Sequence, residues 1–344
     1  MVNIRTALVI LNWNGQHLLK RFLPNLIKHT PDTIELVIAD NGSTDGSINF
    51  LKTNHPDIRI IRMEKNLGFT GGYNKALRQV EADLYILLNS DIEVTENWVE
   101  PCLKMFEEHE DLGALQPKIR SLLNREYFEY AGAAGGFIDI LGFPFCRGRL
   151  FNTLEKDTGQ YDEPTEVFWA TGAALFVRAD LFHGLGGFDS RFFAHMEEID
   201  LCWRIQNHGY KVMYTPDSTV YHLGGGSLPK SNPRKTWYNF RNNLWMLTKL
   251  MPAGWFYTLL FPRLLLDLLA AASFLLTGKP KDSIAVLKAH LALFRRLPEL
   301  RKEYKGNGKR IPALVYRGSI IWDYYIKKKR KYHQIGKKAS RANR

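Results

Sequence analysis

Cysteine is scarce in this chain of 344 residues: Cys102, Cys146 and Cys202 are odd in number, widely spaced and in no C-x-x-C arrangement. That excludes a disulfide framework and a zinc ribbon, and it fits a reducing compartment. The first residues lack a basic region, a long apolar stretch and a small-residue cleavage site ahead of Ala7–Leu11, so a catalytic body that is not secreted is expected. Dinucleotide and triphosphate fingerprints are missing as well, since Gly68, Gly71 and Gly72 do not fit G-x-G-x-x-G and no G-x-x-x-x-G-K-[ST] occurs. Acidic residues are few at one end only. Residues 295–344 hold 17 Lys and Arg against Glu299, Glu303 and Asp323, leaving 30 basic and 32 acidic residues in the rest. A nearly neutral body argues against a basic surface made for nucleic acid. The tail suits anionic phosphate, either lipid headgroups or RNA. A composition 45% hydrophobic and 24% charged excludes collagen-like and disordered chains and leaves one large domain or two.

What is present is a repeated cycle of short apolar strand, polar loop and amphipathic helix. Thr6–Asn12 reads as a buried strand ending at Asn12-Trp13-Asn14-Gly15, and Gln16–His29 follows with apolar residues at helical spacing. Ile34–Ala39 ends at Asp40 and leads to a helix over Ser47–Asn54. Ile58–Met63 ends in a Gly-rich loop from Asn66 to Gly72, with a helix expected over Tyr73–Val80. Leu84–Leu88 is a fourth strand, ending at Asn89-Ser90-Asp91. Such alternation predicts an α/β fold, a mostly parallel sheet with helices on both faces and ligands at the carboxyl ends of its strands. Residues 126–162 show no clear period and are expected to be a flexible or inserted segment. Val167–Arg178 predicts a strand pair around Gly172, Glu197–Gly209 a helix, and Lys211–His222 a last strand. A domain boundary is expected near residue 228, separating 1–228 from a helical C-terminal region over 229–344.

Four of the loops place Asn12, Asp40, Asn66 and Asp91 at one edge of one sheet. Singly, each is an ordinary loop or cap residue; as a set they point to a polar ligand. Asp91 suits a hard divalent cation, Mg²⁺ or Mn²⁺, which takes a carboxylate oxygen together with substrate phosphate oxygens. His222 closes the last strand and offers a second protein ligand. Gly224–Gly226 after it is a mobile loop or a phosphate cradle of backbone amides. Glu197, Glu198 and Asp200 crowd one helical turn; repulsion raises at least one pKa and yields a usable proton acceptor. Asp200 and Arg204, four apart, are expected to pair, leaving Glu197 or Glu198 to face a substrate.

These segments resemble glycosyltransferase family 2 with the GT-A fold, in its bacterial rhamnosyltransferase-like branch. The resemblance runs from Thr6 to Gly226 through VILNWNG (9–15), ADNGSTDGS (39–47), NLGFTGGYN (66–74), NSD (89–91), TGAALFVR (171–178), GGFD (186–189) and EEIDLCWR (197–204). It implies an inverting, metal-dependent transferase that uses a nucleotide-diphospho-sugar donor, with dTDP-L-rhamnose the leading expectation, and a saccharide acceptor. Asp40 would contact the base or ribose, with Asn12 and Asn66 lining the same pocket. Asp91 would hold the metal, with Asn89 beside it where D-x-D has its first carboxylate, and His222 resembles the family's metal-side histidine. Glu198 aligns with the general base and Glu197 with an acceptor-holding residue; the usual Glu-Asp pair is Glu-Glu here. Competing classes are a nucleotidyltransferase acting on a sugar phosphate, for which Asn12–Gln16 lacks a basic loop, and a non-catalytic RNA-binding or scaffold protein, suggested by Lys327–Lys331 among tyrosines.

Trp255–Thr277 carries only Arg263 and Asp267 as charges, interrupted by Pro262. The interruptions favour an interfacial or re-entrant helix pair over a clean span, with Arg263 and Asp267 neutralising each other in part. Ile284–Leu297 is a second amphipathic piece. Together with the basic tail these features predict a peripheral or monotopic protein on the anionic cytoplasmic face of the inner (plasma) membrane. The expected acceptor is polyprenyl-linked, in cell-surface polysaccharide synthesis, and no nucleic-acid partner is expected.

Overall fold

The structure, a computed structural model, describes residues 4–224, 232–303, 312 and 314–335. Strands β1 (Thr6–Asn12), β2 (Glu35–Asp40), β3 (Arg59–Arg62) and β4 (Leu84–Leu88) alternate with helices α1 (Gln16–His29), α2 (Ser47–Asn54) and α3 (Gly68–Leu77). The four strands run parallel in the order β4-β1-β2-β3. Their apolar runs are buried on both faces because alternate residues enter different cores. Val9, Val37 and Leu87 pack with Tyr73 and Ala76 of α3; Leu8, Ile10, Ile38 and Ile86 pack with Leu19, Leu23 and Leu26 of α1. The strand order reverses between β1 and β4, so the carboxyl ends of those two strands flank the crevice where such sheets bind ligands.

The sheet continues through β5 (Ile92–Val94), α4 (Glu100–Glu108) and β6 (Leu112–Ser121), and later through β11 (Thr165–Glu166), β12 (Ala174–Arg178) and β13 (Lys211–His222). Its full order is β11-β13-β6-β12-β4-β1-β2-β3, with β5 on β13. β12 enters antiparallel between β4 and β6, and β13 runs parallel to β6. Helices α5 (Ala179–Gly184) and α6 (Glu197–Asn207) lie between β12 and β13, and α7 (Pro233–Leu250), α8 (Ala253–Leu276) and α9 (Pro280–Lys302) close the chain's helical part.

Four local expectations are corrected. Residues 126–162 are an insertion but not a flexible one: β7 (Gly136–Ile138), β8 (Pro144–Cys146), β9 (Arg149–Leu150) and β10 (Thr153–Leu154) form an antiparallel sheet. Its Phe137, Phe145 and Leu150 are buried, which explains the aromatic content that hid the period. Only Ala174–Arg178 of the expected strand pair is strand; Trp169 makes a single bridge to Gly136 before the chain turns through Gly172. Helix α3 starts at Gly68, five residues before the expected Tyr73, because its glycines serve close packing. A Cβ at Gly72 would stand 2.7 Å from Leu11, and one at Gly68, where φ is +75°, would stand 2.5 Å from the Phe193 carbonyl oxygen. The apolar stretch is one helix of 24 residues, not a pair, and Pro262 lies inside it. Arg263 and Asp267 do pair, at 3.1 Å, and both are buried against the protein.

Candidate functional site

The first loops are fastened to one another by their own polar side chains. Asn12 Nδ2 donates to Asp40 Oδ1 (3.2 Å) and to Ser43 Oγ (3.1 Å), and Asp40 Oδ2 accepts from the Ser43 N–H. Asn12 and Asp40 are both buried. Asn66 meets this group through Asn41, which the sequence reading did not single out: Asn41 Nδ2 donates to Asn66 Oδ1 (3.1 Å) and to the Gly68 carbonyl (3.0 Å). Its own Oδ1 accepts from Leu67 N–H. The expected donor-pocket residues Asn12, Asp40 and Asn66 therefore belong to one connected polar lining at the ends of β1 to β3.

Asp91 and His222 also come together. β13 pairs with β5 so that His222 lies opposite Ile92, and His222 Nε2 is 3.1 Å from Asp91 Oδ1. The other ring nitrogen, Nδ1, is 3.2 Å from Glu129 Oε2, a residue the sequence reading missed. Nothing in the REYFEYAG run marks Glu129; only the folding of the inserted segment back against β13 brings it there. Burial works against the imidazolium, but the carboxylates of Asp91 and Glu129 outweigh it and raise the His222 pKa to about 10. Asp91 offers Mg²⁺ or Mn²⁺ a carboxylate oxygen, whereas the charged His222 ring, a donor at both nitrogens, offers a lone pair only after losing a proton; among the described residues no group of three ligating side chains is arranged to hold a metal ion. A cation whose shell is completed by diphosphate and water fits Asp91 directly and would gain His222 only by displacing the Nε2 proton. Of the glycines after His222, Gly224 has φ +71°; Gly225 and Gly226 lie outside the described residues.

Glu197 and Glu198 open α6 from a strained approach. Phe193, His195 and Met196 all have φ between 65° and 73°, a region that non-glycine residues enter at a cost. Burial raises the Glu198 pKa to about 7. Burial and the neighbouring Glu198 charge raise Glu197 well above the ordinary carboxylate range. Oε2 of each is shielded and without a hydrogen-bond partner among the described residues. Asp200 is committed elsewhere, to Arg204 (2.8 Å) and Lys249 (2.8 Å), which leaves the two glutamates as the proton acceptors of this turn.

The turn Thr171-Gly172-Ala173 lies between these groups. Asn89 N–H donates to the Ala173 carbonyl (2.9 Å), fixing the loop that carries Asp91. On the other side a Cβ at Gly172 would stand 3.8 Å from the Glu198 Cβ and 3.3 Å from Phe69 Cζ. Thr171 also packs on Gly132, three residues beyond Glu129. One three-residue segment thus bonds the loop that carries Asp91 and lies beside Glu198. A cavity of about 400 Å³, lined by Arg5, Arg78, Tyr85 and His183 among others, contains none of these residues. It opens by the amino-terminal ends of β1 and β4.

Comparison with known proteins identifies the family and the fold. The family model described as Glycosyl transferase family 2 matches residues 7–179. A Mycobacterium tuberculosis protein named N-acetylglucosaminyl-diphospho-decaprenol L-rhamnosyltransferase is 28% identical over 237 residues, covering 64% of this chain and 76% of that one. Among solved structures, GalNAc-T7 with UDP, GalNAc and Mn²⁺ matches at a TM-score of 0.58 and 18% identity, over 73% of this chain and 48% of that one. A mannosyltransferase from Pyrobaculum calidifontis in complex with GDP-Man and Mn²⁺ matches at 0.51 and 15%, over 88% and 85%. At these identities the two structures speak for the fold.

Proposed function

The chain belongs to glycosyl transferase family 2 and is a glycosyltransferase of GT-A-like fold; from that premise we propose an inverting transfer from a nucleotide-diphospho-sugar, with dTDP-L-rhamnose the leading donor, to a hydroxyl of a polyprenyl-linked saccharide. The observation that supports this reading is that one segment, Thr171–Ala173, bonds Asn89 of the Asp91 loop and lies beside Glu198. Asn12, Asp40 and Asn66 hold the nucleoside, with Asn89 beside the diphosphate. Glu197 orients the acceptor hydroxyl. Glu198 takes its proton as the oxygen bonds to the anomeric carbon, and the bond to the diphosphate breaks on the opposite face with its electron pair leaving on phosphate oxygen. A divalent cation held by Asp91 and His222 would neutralise the charge that develops on this leaving group.

The 28%-identical relative, whose name includes a diphospho-decaprenol acceptor and L-rhamnose, supports both substrate assignments. The rest of the reading concerns place: residues 1–228 carry out transfer, and 229–344 hold the enzyme at the cytoplasmic face of the plasma membrane, where cell-surface polysaccharide is assembled on lipid. An apolar helix of membrane-spanning length, with most of its surface outside the protein, supports that division. The test is a panel of nucleotide sugars with Mn²⁺ or Mg²⁺, with dTDP-L-rhamnose and an N-acetylglucosaminyl-diphospho-prenol as first probes. Metal-dependent release of nucleotide diphosphate with sugar transfer is expected. Absence of transfer from every nucleotide sugar in the panel sinks the proposal.

A further inference from the structure

The loop that delivers Glu197 and Glu198 is held from outside the family-matched region. Residues 193, 195 and 196 are in the left-handed region within four consecutive positions, none of them glycine. Such a backbone persists only where its surroundings over-determine it. The surroundings here are one face of α7. Nδ2 of Asn242, fully buried, shares its two N–H groups among three carbonyls, those of Phe192 (3.0 Å), Ala194 (2.9 Å) and His195 (2.8 Å). Its Oδ1 accepts from Arg241 Nε (2.8 Å), which fixes the amide with its N–H groups toward the loop. The Arg241 Nη2 group reaches the Arg191 (2.9 Å) and Phe192 (3.1 Å) carbonyls, and its guanidinium is wedged among Trp237, Tyr238 and Trp245. Two turns on, Lys249 bridges Asp189 (2.5 Å) and Asp200 (2.8 Å), the acids that bracket the loop.

We propose that Asn242, oriented by Arg241, is a positioning residue that holds the Phe192–Met196 backbone, with its positive φ angles at Phe193, His195 and Met196, and so sets the Glu197–Glu198 pair against the donor site. The inference rests on the assignment of Glu198 as base. The loop is held at its carbonyls and through Phe193, whose ring stacks on Tyr238 of α7 at 5.5 Å, and together these contacts fix where α6 begins. It also makes α7, the element that leads into the apolar helices, part of the catalytic geometry.

The experiment compares Asn242→Ala with wild type in full-length protein, using the two probe substrates named above. A displaced base costs turnover, so kcat is expected to fall about 10²-fold, with KM and the thermal protection given by dTDP-L-rhamnose unchanged. Hydrogen exchange should quicken at amides 190–198 and stay as in wild type across β1 to β4. Thr248→Ala, which removes a buried hydroxyl bonded only within α7, should leave kcat near wild type. Arg241→Lys keeps the charge and loses the fork; it should show the same split at smaller amplitude, and it serves if Asn242→Ala does not fold. Wild-type kcat in Asn242→Ala, a parallel loss of donor protection, or exchange that quickens across the whole sheet overturns the proposal. Glu198→Gln measured alongside separates the two readings. If Glu198→Gln is fully active, the base assignment has failed; if it is inactive while Asn242→Ala and Arg241→Lys turn over normally, only the positioning role has.

Discussion

Glu198 bears the largest single expectation of any residue. Replacing its carboxylate by an amide leaves the shape of the site and removes the proton acceptor, so Glu198→Gln should keep donor affinity and lose about 10²- to 10⁴-fold in turnover. The pH dependence follows from its environment. Burial raises its pKa to about 7, so the side chain is increasingly protonated as pH falls below that value and cannot accept the hydroxyl proton; kcat/KM should decline toward acid with a limb near 7. A wild-type profile flat down to pH 5 would contradict this. Asp91→Asn tests the other side of the segment: it should abolish the extra thermal protection that Mn²⁺ adds to a nucleotide diphosphate, while protection by the nucleotide alone survives. Asn12, Asp40, Asn66, Asp91 and His222 could be singled out because they follow strand ends, and Glu197 and Glu198 because they crowd the start of a helix. Glu129 and Asn242 were not legible, because each reaches the site by long-range packing, from the inserted sheet and from α7, and neither lies in a periodic or turn-forming pattern.

Among the elements, β1 to β4 and α1 and α2 could be read from the sequence, because buried parallel strands are continuous apolar runs and surface helices show a 3.6-residue period. The start of α3 could not. Glycine in a run such as NLGFTGGYN reads as loop chemistry, yet Gly68 opens α3 with a positive φ, Gly72 lies inside it, and both must be small because Phe193 and Leu11 press against them. Gly68→Ala should therefore be costly twice over, for its positive φ and for a Cβ driven into the Phe193 backbone. A loss of about 1–3 kcal/mol is expected, read as a lower urea midpoint with an unchanged slope. Because Phe193 belongs to the loop gripped by α7, turnover should fall in the same variant. Gly184→Ala, where nothing lies within 4 Å of the added methyl group, is the matched control and should unfold at or above the wild-type midpoint. The inserted sheet shows the complementary failure: two- and three-residue strands are too short for any period to emerge.

At the scale of the whole molecule the C-terminal helices are arranged inside out relative to an ordinary surface helix. The charged residues of α8 point inward: Arg263 bonds Asp267, the Leu141 carbonyl and Asn243 Oδ1, while Asp267 also approaches His290 of α9 at 3.4 Å. Outward, at spacings of three and four, stand Tyr257, Phe261, Leu265 and Leu268, with Leu276 about two turns further on; Phe261 is 77% and Leu276 88% exposed. Ile284, Leu287, Leu291 and Phe294 make a similar stripe on α9, about half exposed each. An apolar face of this extent is where a soluble protein meets a partner or a lipid surface. Two forces would then hold the enzyme on an anionic bilayer, and they respond differently to salt. The contribution of the basic residues over 295–344 is screened as ionic strength rises, whereas burial of aromatic and leucine side chains among acyl chains is not. Flotation with vesicles containing phosphatidylserine should show wild type bound in 0.1 M NaCl and still partly bound in 1 M. Phe261→Ser with Leu265→Ser removes two exposed groups, each worth about 1.5–3 kcal/mol when buried, and touches no hydrogen bond. That double variant should keep its melting temperature, bind at low salt, and be released completely at high salt. Equal salt sensitivity in the two proteins would mean that charge alone brings the enzyme to the membrane and that the apolar face of α8 meets something other than lipid.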